Sequence, residues 1–321
     1  MISRYIKCQN ASSQIKPNCR YEMCTLLCRG VALDWECVEM AKQRVHAILS
    51  DYDGTLVPLT NVKNSETDTL TSELLQTLRK VSSEIPVCII STKDFEFLRR
   101  KIAFARILSC IMGIETIVTG NKNHRRTVEK RLIHADLNVL QLKSRVLDAI
   151  ADEIASEEEF SHVLVERKHT SDDILAGLTL DWRHLGDWSY YRRGIAHFIS
   201  RLVSDLKKPP IPVDIFVQKY SQHPFFDIYS ADCNKGVAFD IVVSELAKES
   251  VNCKDIMYLG DSENDNPAFR KADISLGIRS DARVNPKLDC SYFLDYEQLS
   301  SFLKKLRHND FFFTDELLMK L

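Results

Sequence analysis

Two carboxylates stand two residues apart at the end of an apolar run. Residues 45–49 have the length and aliphatic composition of a short buried strand, and Asp51 and Asp53 follow them directly. Gly54 then allows the backbone to turn sharply. Asp51 is suited to attack phosphorus or to hold Mg2+, and Asp53 is suited to donate a proton and recover it. Taken alone, the same residues also fit an ordinary acidic turn after a strand.

Later groups of polar residues supply the partners that such chemistry needs. Hydroxyls can hold a phosphate oxygen, an ammonium group can neutralise phosphate charge, and further carboxylates can complete a Mg2+ site. These groups follow in the order Ser91 with Thr92, Lys235, and Asp261 with Asp265. Because parallel strands bring their carboxyl ends to one edge of a sheet, we expect all of them to converge on Asp51. The set meets the requirements of phosphoryl transfer.

The elements that position these residues alternate between strand and helix periodicity. Strands are predicted at residues 45–49, 86–90, 114–120, 256–259, 273–276 and 292–294, and helices at 65–81, 95–104, 235–247 and 299–306. This alternation predicts an α/β fold with a doubly wound parallel sheet of the Rossmann-like kind. The apolar tail at residues 308–321 is predicted to dock on the protein's own core.

A segment with a different order of predicted helices and strands separates the two halves of this fold. Helix, strand, strand, helix, strand, strand is predicted at residues 137–155, 163–168, 177–184, 188–206, 213–219 and 225–229. Such an order indicates an α+β domain with helices on one face of an antiparallel sheet. Polar and basic residues 121–134 predict a boundary loop before it. The predicted boundaries are an extension at 1–40, core at 41–125, inserted domain at 126–230, core at 231–307 and a tail at 308–321.

Composition excludes several classes of protein. The 321 residues are 45% hydrophobic and 27% charged, as in an ordinary globular protein of about two domains. A formal charge of -2 gives no electrostatic footprint for nucleic acid or an anionic membrane. No apolar run reaches the ~20 residues of a membrane span, and the first residues lack the apolar core of a secretory signal. We therefore expect a cytoplasmic monomer or homodimer.

Half of the ten cysteines precede the first predicted strand. Their spacing, Cys19-x4-Cys24-x3-Cys28 without a nearby histidine, is not that of a zinc ribbon. No metal site is predicted there.

The ordered motifs Asp51-x-Asp53-Gly-Thr-Leu, Ser91, Lys235 and Gly260-Asp261-x-x-x-Asp265 together resemble those of the haloacid-dehalogenase (HAD) superfamily of phosphatases. The resemblance implies that Asp51 is the nucleophile, forming an aspartyl-phosphate, and that Asp53 is the general acid and then base. It further implies that Ser91 and Lys235 act at the phosphate. Mg2+ would be held by Asp51, the backbone carbonyl of Asp53 and Asp261. Asp265 would support the metal or Lys235, with Ser262 and Asn264 as lesser candidates.

The position of the inserted domain resembles that of the superfamily's C2-type cap. The order of helices and strands in this compact domain looks like that of trehalose-6-phosphate phosphatases and phosphomannomutases. This similarity implies a phosphorylated sugar as substrate. Two departures leave the sugar open between trehalose metabolism and other pathways. Ser91-Thr92-Lys93 replaces the Ser-Gly-Arg of trehalose phosphatases, and the motif after Gly260 is closer to that of sucrose-phosphate and mannosylphosphoglycerate phosphatases. Substrate contacts are predicted from Thr92, Glu166, Lys168 and Arg183, with His184 and Lys219 as further candidates on the predicted strands.

Two alternatives to a Mg2+-dependent phosphoric monoester hydrolase stand beside it. A phosphotransferase or phosphomutase of the same fold would pass the phosphoryl group to a second sugar instead of water. A non-catalytic regulatory or scaffold subunit would tolerate loss of the acids. Retention of the complete set favours an enzyme: Asp51, Asp53, Lys235, Asp261 and Asp265.

Overall fold

The computed structural model describes residues 43–58, 69–122, 125–206, 213–221, 223–280 and 286–319. The predicted extension at residues 1–40, with its five cysteines, lies outside the described residues. Among the described residues, no helix combines the length and the apolar composition that crossing a bilayer requires.

Fourteen strands and eight α-helices are described. The strands are β1 Gln43–Arg44, β2 Ala47–Ser50, β3 Val87–Ile90, β4 Ile107–Cys110, β5 Glu115–Lys122, β6 Arg125–Ile133, β7 Leu164–His169, β8 Leu175–Asp181, β9 Phe216–Lys219, β10 Phe225–Tyr229, β11 Ile256–Gly260, β12 Ile274–Arg279, β13 Tyr292–Asp295 and β14 Phe312–Phe313. The helices are α1 Ser72–Val81, α2 Phe95–Lys101, α3 Leu137–Ser156, α4 Trp188–Leu206, α5 Lys235–Lys248, α6 Asn266–Phe269, α7 Tyr296–His308 and α8 Glu316–Met319.

The core domain is built on an eight-stranded sheet in the order β13-β12-β11-β2-β3-β4-β5-β6. The strands from β13 to β4 run parallel, and β5 and β6 are antiparallel additions at one edge. Strand β2 lies in the middle, between β11 and β3. All four of its residues are buried, as expected for a parallel strand covered on both faces.

Successive residues of β2 point into two different apolar layers. Ile48 packs with residues of α1 and α7, including Leu74 and Phe302. Leu49 points the other way and packs with residues of α5, including Val242. Helices therefore cover both faces of the sheet, and the predicted doubly wound α/β fold is confirmed.

The inserted domain consists of a four-stranded antiparallel sheet, in the order β7-β8-β10-β9, and the helices α3 and α4. Both helices pack on one face of this sheet, where Ile150 and Phe198 meet Leu178, Leu180 and Phe226. The predicted order of elements is confirmed. The alternate residues of β8 and β10 point to the opposite face of the sheet, which carries polar side chains.

Three sequence predictions in the core domain are corrected. Residues 121–134 are not a loop: most of them form the hairpin of β5 and β6, so residues 126–133 belong to the core sheet and not to the inserted domain. The strand predicted at 114–120 is antiparallel to its neighbour. The third parallel strand is Ile107–Cys110, which the sequence analysis did not predict.

The apolar tail docks on the core domain, as predicted. Strand β14 pairs antiparallel with β1, so Phe313 lies opposite Gln43. Phe311 and Phe313 are buried in the same apolar layer as Phe302. The tail thus closes the layer formed by α1 and α7.

Candidate active site

Asp51 and Asp53 lie where β2 ends. The amide of Asp51 donates a hydrogen bond to the carbonyl of Leu259 at 2.9 Å, which continues the pairing with β11 by one residue. The Asp51 side chain is almost fully buried, whereas Asp53 is partly exposed. Gly54 has a φ of +82°, which L-residues rarely adopt, and its amide donates to the carbonyl of Val57 at 2.6 Å. This turn ends the strand and exposes both acids to the cleft above it.

Lys235 approaches the same carboxylate from the first residue of α5. Its Nζ lies 3.0 Å from Oδ2 of Asp51 and 2.7 Å from Oδ1 of Asp265, and the side chain is fully buried. Asn234 caps the helix by accepting from the amides of Gly236 and Val237. Burial lowers the pKa of Lys235, but the carboxylates of Asp265 and Asp51 outweigh this effect and raise it overall. The lysine is held charged beside the nucleophile predicted from the sequence.

Asp265 organises the loop that follows β11. Its Oδ1 accepts hydrogen bonds from Lys235 and, at 2.6 Å, from the hydroxyl of Tyr258. Its Oδ2 accepts from the amides of Asp261 and Ser262 at 3.2 and 3.1 Å. Because both oxygens are engaged by donors of the chain, these contacts favour support of Lys235, one of the two roles predicted for Asp265. Direct ligation by this residue stays a prediction.

The carboxylate cluster of Asp51, Asp261 and Asp265 suits a divalent cation. Each acid is buried, and one oxygen from each lies within 4.8 Å of the others. Burial raises the pKa of Asp51 to about 7, with Lys235 opposing this shift and Asp265 adding to it. The pKa of Asp261 is raised well above its ordinary value, first by burial and then by Asp51. Closely spaced carboxylate oxygens are ligands of the kind that Mg2+ prefers.

The inserted domain forms the roof of a cleft over these acids. The polar face of its sheet, opposite α3 and α4, contributes the side chains above the core residues. The cleft is lined by Asp51, Asp53, Thr92, Lys93, Glu166, Thr179, Arg183, Phe225, Asp227, Asp261, Ser262 and Asn264. Seven of the residues come from the core and five from the inserted domain, so a substrate would contact both.

Lys93 connects the floor of the cleft to its roof. Its Nζ lies 3.3 Å from Oδ2 of Asp53 and 3.0 Å from Oε1 of Glu166 on β7. The ammonium group also stands 4.9 Å from the ring centroid of Phe97. Burial lowers the pKa of Lys93, but Asp53 and Glu166 outweigh this and raise it overall. From the sequence, Lys93 is only a departure from the Ser-Gly-Arg motif, and this role was not predicted.

A buried polar network stiffens the roof of the cleft. The Nζ of Lys168 lies 3.3 Å from Oδ1 of Asp227, which also accepts a hydrogen bond from the Thr179 hydroxyl. The Tyr220 hydroxyl donates to Oδ2 of Asp227 at 2.8 Å. Asp227 and Thr179 lie directly opposite each other on β10 and β8. Lys168 is 1% exposed, so it holds the Asp227 carboxylate in place within the inserted domain.

The predicted site residues therefore divide into two groups. Those that line the cleft are Asp51, Asp53, Thr92, Glu166, Arg183 and Asp261, and Lys235 and Asp265 adjoin them. The predicted substrate contact of Lys168 is corrected, because Lys168 lies within the polar network beside the cleft and is not among the residues that line it. Ser91 is fully buried and its Oγ accepts a hydrogen bond from the amide of Lys93 at 3.2 Å. Its contact with phosphate stays a prediction.

Four lining residues were missed: Lys93, Thr179, Phe225 and Asp227. A signal for Thr179 and Asp227 is present in the sequence, because each is a polar residue at an alternate position of a predicted strand. Lys93 had no such signal, since its partners lie on other elements.

Solved structures share this architecture. The C-terminal domain of a trehalose-6-phosphate phosphatase from C. albicans has a TM-score of 0.61 and 18% identity, over 83% of this chain and 93% of that one. A trehalose-6-phosphate phosphatase related protein has a TM-score of 0.56 and 18% identity, over 82% and 97%. A HAD-superfamily phosphatase from Bacteroides thetaiotaomicron has a TM-score of 0.50 and 16% identity, over 85% and 98%. The chain has the fold of HAD phosphatases, and the predicted resemblance is confirmed at the level of the fold.

Comparisons of the sequence give weaker similarities than comparisons of the structure. No family model matches the chain. Uncharacterized glycosyl hydrolases from two strains of Mycobacterium tuberculosis are 24% identical over 226 residues, which is 70% of this chain. The chain spans only 15% of the length of these relatives.

Proposed function

We propose that this protein is a Mg2+-dependent phosphomonoester hydrolase that acts on a sugar phosphate through an aspartyl-phosphate intermediate. The observation that carries the proposal is the contact of Lys235 with Asp51, at 3.0 Å, within a buried carboxylate cluster under a polar roof. The fold shared with trehalose-6-phosphate phosphatases and other HAD phosphatases supports it.

In the first step, a carboxylate oxygen of Asp51 attacks phosphorus. The bond from phosphorus to the sugar oxygen breaks, and its electron pair goes to that oxygen. Asp53 gives its carboxyl proton to the leaving oxygen, so the sugar departs as an alcohol and Asp51 carries the phosphoryl group. The turn at Gly54 places the two acids on the same side of the sheet edge for these two tasks.

The second step returns the enzyme to its starting state. Asp53, now a carboxylate, takes a proton from water while the water oxygen attacks phosphorus. The bond from phosphorus to Asp51 breaks, which frees inorganic phosphate and restores the Asp51 carboxylate. Each group ends with the protons it began with.

Charge neutralisation falls to Lys235 and to the cation. The ammonium of Lys235 attracts the phosphate to Asp51 and opposes the rise in the pKa of Asp51 that burial causes. Mg2+ would be held by Asp51, Asp261 and the backbone carbonyl of Asp53, where it supplies electrophilic stabilisation of the phosphoryl oxygens. Thr55 donates a hydrogen bond to Oδ1 of Asp261 at 3.2 Å and so orients this ligand.

The roof of the cleft supports a sugar as the leaving group. Glu166 and Asp227 present carboxylates suited to sugar hydroxyls, Arg183 adds donors, Thr179 adds an acceptor oxygen, and Phe225 offers a ring face. Trehalose-6-phosphate, sucrose phosphate and mannosylphosphoglycerate are the three substrates suggested by the sequence resemblance. A cytoplasmic monomer or homodimer stays a prediction.

Inorganic phosphate release from a panel of phosphate esters tests the proposal. The panel contains these three compounds, hexose phosphates and phosphoglycolate, each with Mg2+, with EDTA, and with the Asp51→Asn variant. We expect turnover of at least one sugar phosphate and its loss in both controls. Silence across the panel from folded protein would contradict a hydrolase. Transfer of phosphate to an added sugar, without release, would identify the phosphotransferase instead.

A further inference from the structure

We propose that Lys93 is a positioning residue for the general acid, and that Glu166 of the inserted domain in turn positions Lys93. The inference rests on the proposed function and adds a link between the two domains to it. Closure of the inserted domain would then complete the set of groups that protonates the leaving oxygen.

The position of the Lys93 ammonium supports this role. Its side chain is 6% exposed, whereas those of Asp53 and Glu166 are each 28% exposed. A lysine buried to this degree requires carboxylate partners, because an unpaired ammonium in such a place is costly. The amide of Lys93 also donates to Ser91 Oγ, and the ring of Phe97 lies beneath its Nζ. The side chain is thus fixed from the backbone to its tip.

The two acids of the mechanism are each held by a different lysine. Lys235 contacts Asp51, and Lys93 contacts Oδ2 of Asp53 at 3.3 Å. A donor on Oδ2 restrains rotation of the Asp53 carboxylate and leaves Oδ1 as the oxygen we assign to the leaving group. Lys93 therefore acts on the reaction through Asp53 and not by contact with the nucleophile.

The contact with Glu166 makes this arrangement depend on the inserted domain. Glu166 stands on β7, and it binds Nζ of Lys93 with Oε1 at 3.0 Å and Oε2 at 3.3 Å. Any movement of the inserted domain away from the core would remove this carboxylate from Lys93. The Asp53 side chain is then held less tightly, so protonation of the leaving group is efficient only with the roof in place.

Leaving-group dependence separates this role from a structural one. A sugar alkoxide needs protonation as it leaves, whereas p-nitrophenolate leaves readily without it. We expect Lys93→Met to lower kcat by about 10- to 100-fold on the sugar phosphate that the panel identifies, with little change in KM. On p-nitrophenyl phosphate the same variant is expected to lose less than about threefold. Lys93→Arg retains both hydrogen-bonding and charge, and is expected to restore most of kcat.

Two further variants complete the test. Glu166→Gln is expected to lower kcat on the sugar phosphate, and the losses from Glu166→Gln and Lys93→Met together should be smaller than their product, since both act through one contact. Lys101→Met is the matched control, because Nζ of Lys101 also lies near the Phe97 ring, at 5.7 Å, and Lys101 is not among the residues that line the cleft. It is expected to leave both activities unchanged.

The outcomes distinguish the inference from the proposed function. Equal losses of Lys93→Met on both substrates, or an arginine variant as poor as the methionine variant, would overturn the role of Lys93 while hydrolysis by wild type stands. Wild-type protein without activity on either substrate would overturn the proposed function and this inference with it. If Lys93→Met fails to fold, Lys93→Arg and Glu166→Gln decide: an arginine variant that loses kcat equally on both substrates, or a Glu166→Gln variant with unchanged kcat on the sugar phosphate, would count against the link.

Discussion

Gly54 and Asp261 approach so closely that no side chain fits between them. A Cβ at position 54 would lie 1.9 Å from Oδ2 of Asp261, and the backbone at Gly54 has a φ of +82°. The turn after β2 and the loop after β11 are therefore packed directly against each other. This contact sets the spacing between Asp51 and the Asp261 carboxylate.

We expect Gly54→Ala to abolish phosphatase activity and to lower the free energy of unfolding by about 2 kcal/mol or more. The alanine must either leave its backbone conformation or push Asp261 aside. Gly186→Ala is the control, because a Cβ at position 186 has no heavy atom within 4 Å. Phosphate release and urea unfolding measure the two effects. Activity of the Gly54 variant within a few-fold of wild type would contradict this account of the turn.

Mg2+ is expected to stabilise the folded protein against heat. A ligand at 100 times its Kd adds about 2.7 kcal/mol to the free energy of unfolding, since it binds only the folded state. Thermal unfolding with EDTA and with increasing MgCl2 measures this shift. Asp261→Asn should remove most of it, while Asp240→Asn, which alters an exposed ion pair with Lys271, should keep it. An equal shift in the Asp261 variant would place the cation elsewhere.

The buried side chain of His223 is expected to make the free energy of unfolding depend on pH. The ring is buried, neither nitrogen has a hydrogen-bond partner among the residues that the structure describes, and burial lowers its pKa from 6.5 to about 4. An unfolded chain therefore takes up more protons than the folded one between these pH values. This contribution to stability is intact above about pH 6.5 and is lost as the pH falls toward 4, by about 2 kcal/mol between pH 7 and pH 5.

Urea unfolding of His223→Phe at pH 7 and pH 5 tests this contribution. The phenyl ring retains the packing against Tyr220 and Phe225 but cannot be protonated. The loss of stability on acidification should shrink by about 2 kcal/mol in this variant. It should persist in His162→Gln, which changes an exposed histidine. The same pH dependence in wild type and the His223 variant would refute the assignment.

The tail contributes to stability through Phe313. Its ring is 4% exposed and packs edge-on against Tyr292, with centroids 5.1 Å apart. We expect Phe313→Ala to lower the free energy of unfolding by about 3 kcal/mol or more, since it leaves a cavity. Phe312→Ala, at a half-buried neighbour that faces Arg44, should cost about 1 kcal/mol. Equal costs for the two variants would contradict docking of the tail through Phe313.

The sequence predicted those parts of the fold that have strong local periodicity. Buried strands such as β2 and β11 are continuous apolar runs, and the polar residues that end them mark the active edge of the sheet. The hairpin of β5 and β6 was not predicted because its outer strand, β6, is partly exposed and carries charged residues, as edge strands often do. Strand β4 was not predicted because its four residues come only a few positions after a segment with helical periodicity.

Side-chain contacts between the domains were beyond what sequence patterns contain. Glu166 and Lys168 are polar residues of one predicted strand, and both were predicted to meet the substrate. In the structure Glu166 lines the cleft and also binds Lys93, whereas Lys168 is buried against Asp227. Which polar residue of a strand reaches the cleft depends on neighbouring strands and on the position of the whole domain, and neither is encoded in local spacing.

The most direct test of the central claim is to trap the phosphoryl group on the protein. Wild-type protein is mixed with the substrate found in the panel, treated with borohydride during turnover, and digested for mass spectrometry, because an acyl phosphate is reduced to the alcohol while a free carboxylate is not. The account predicts conversion of Asp51 to homoserine, dependent on substrate and absent in Asp51→Asn. Reduction at another carboxylate, or none at Asp51 during measured turnover, would contradict it.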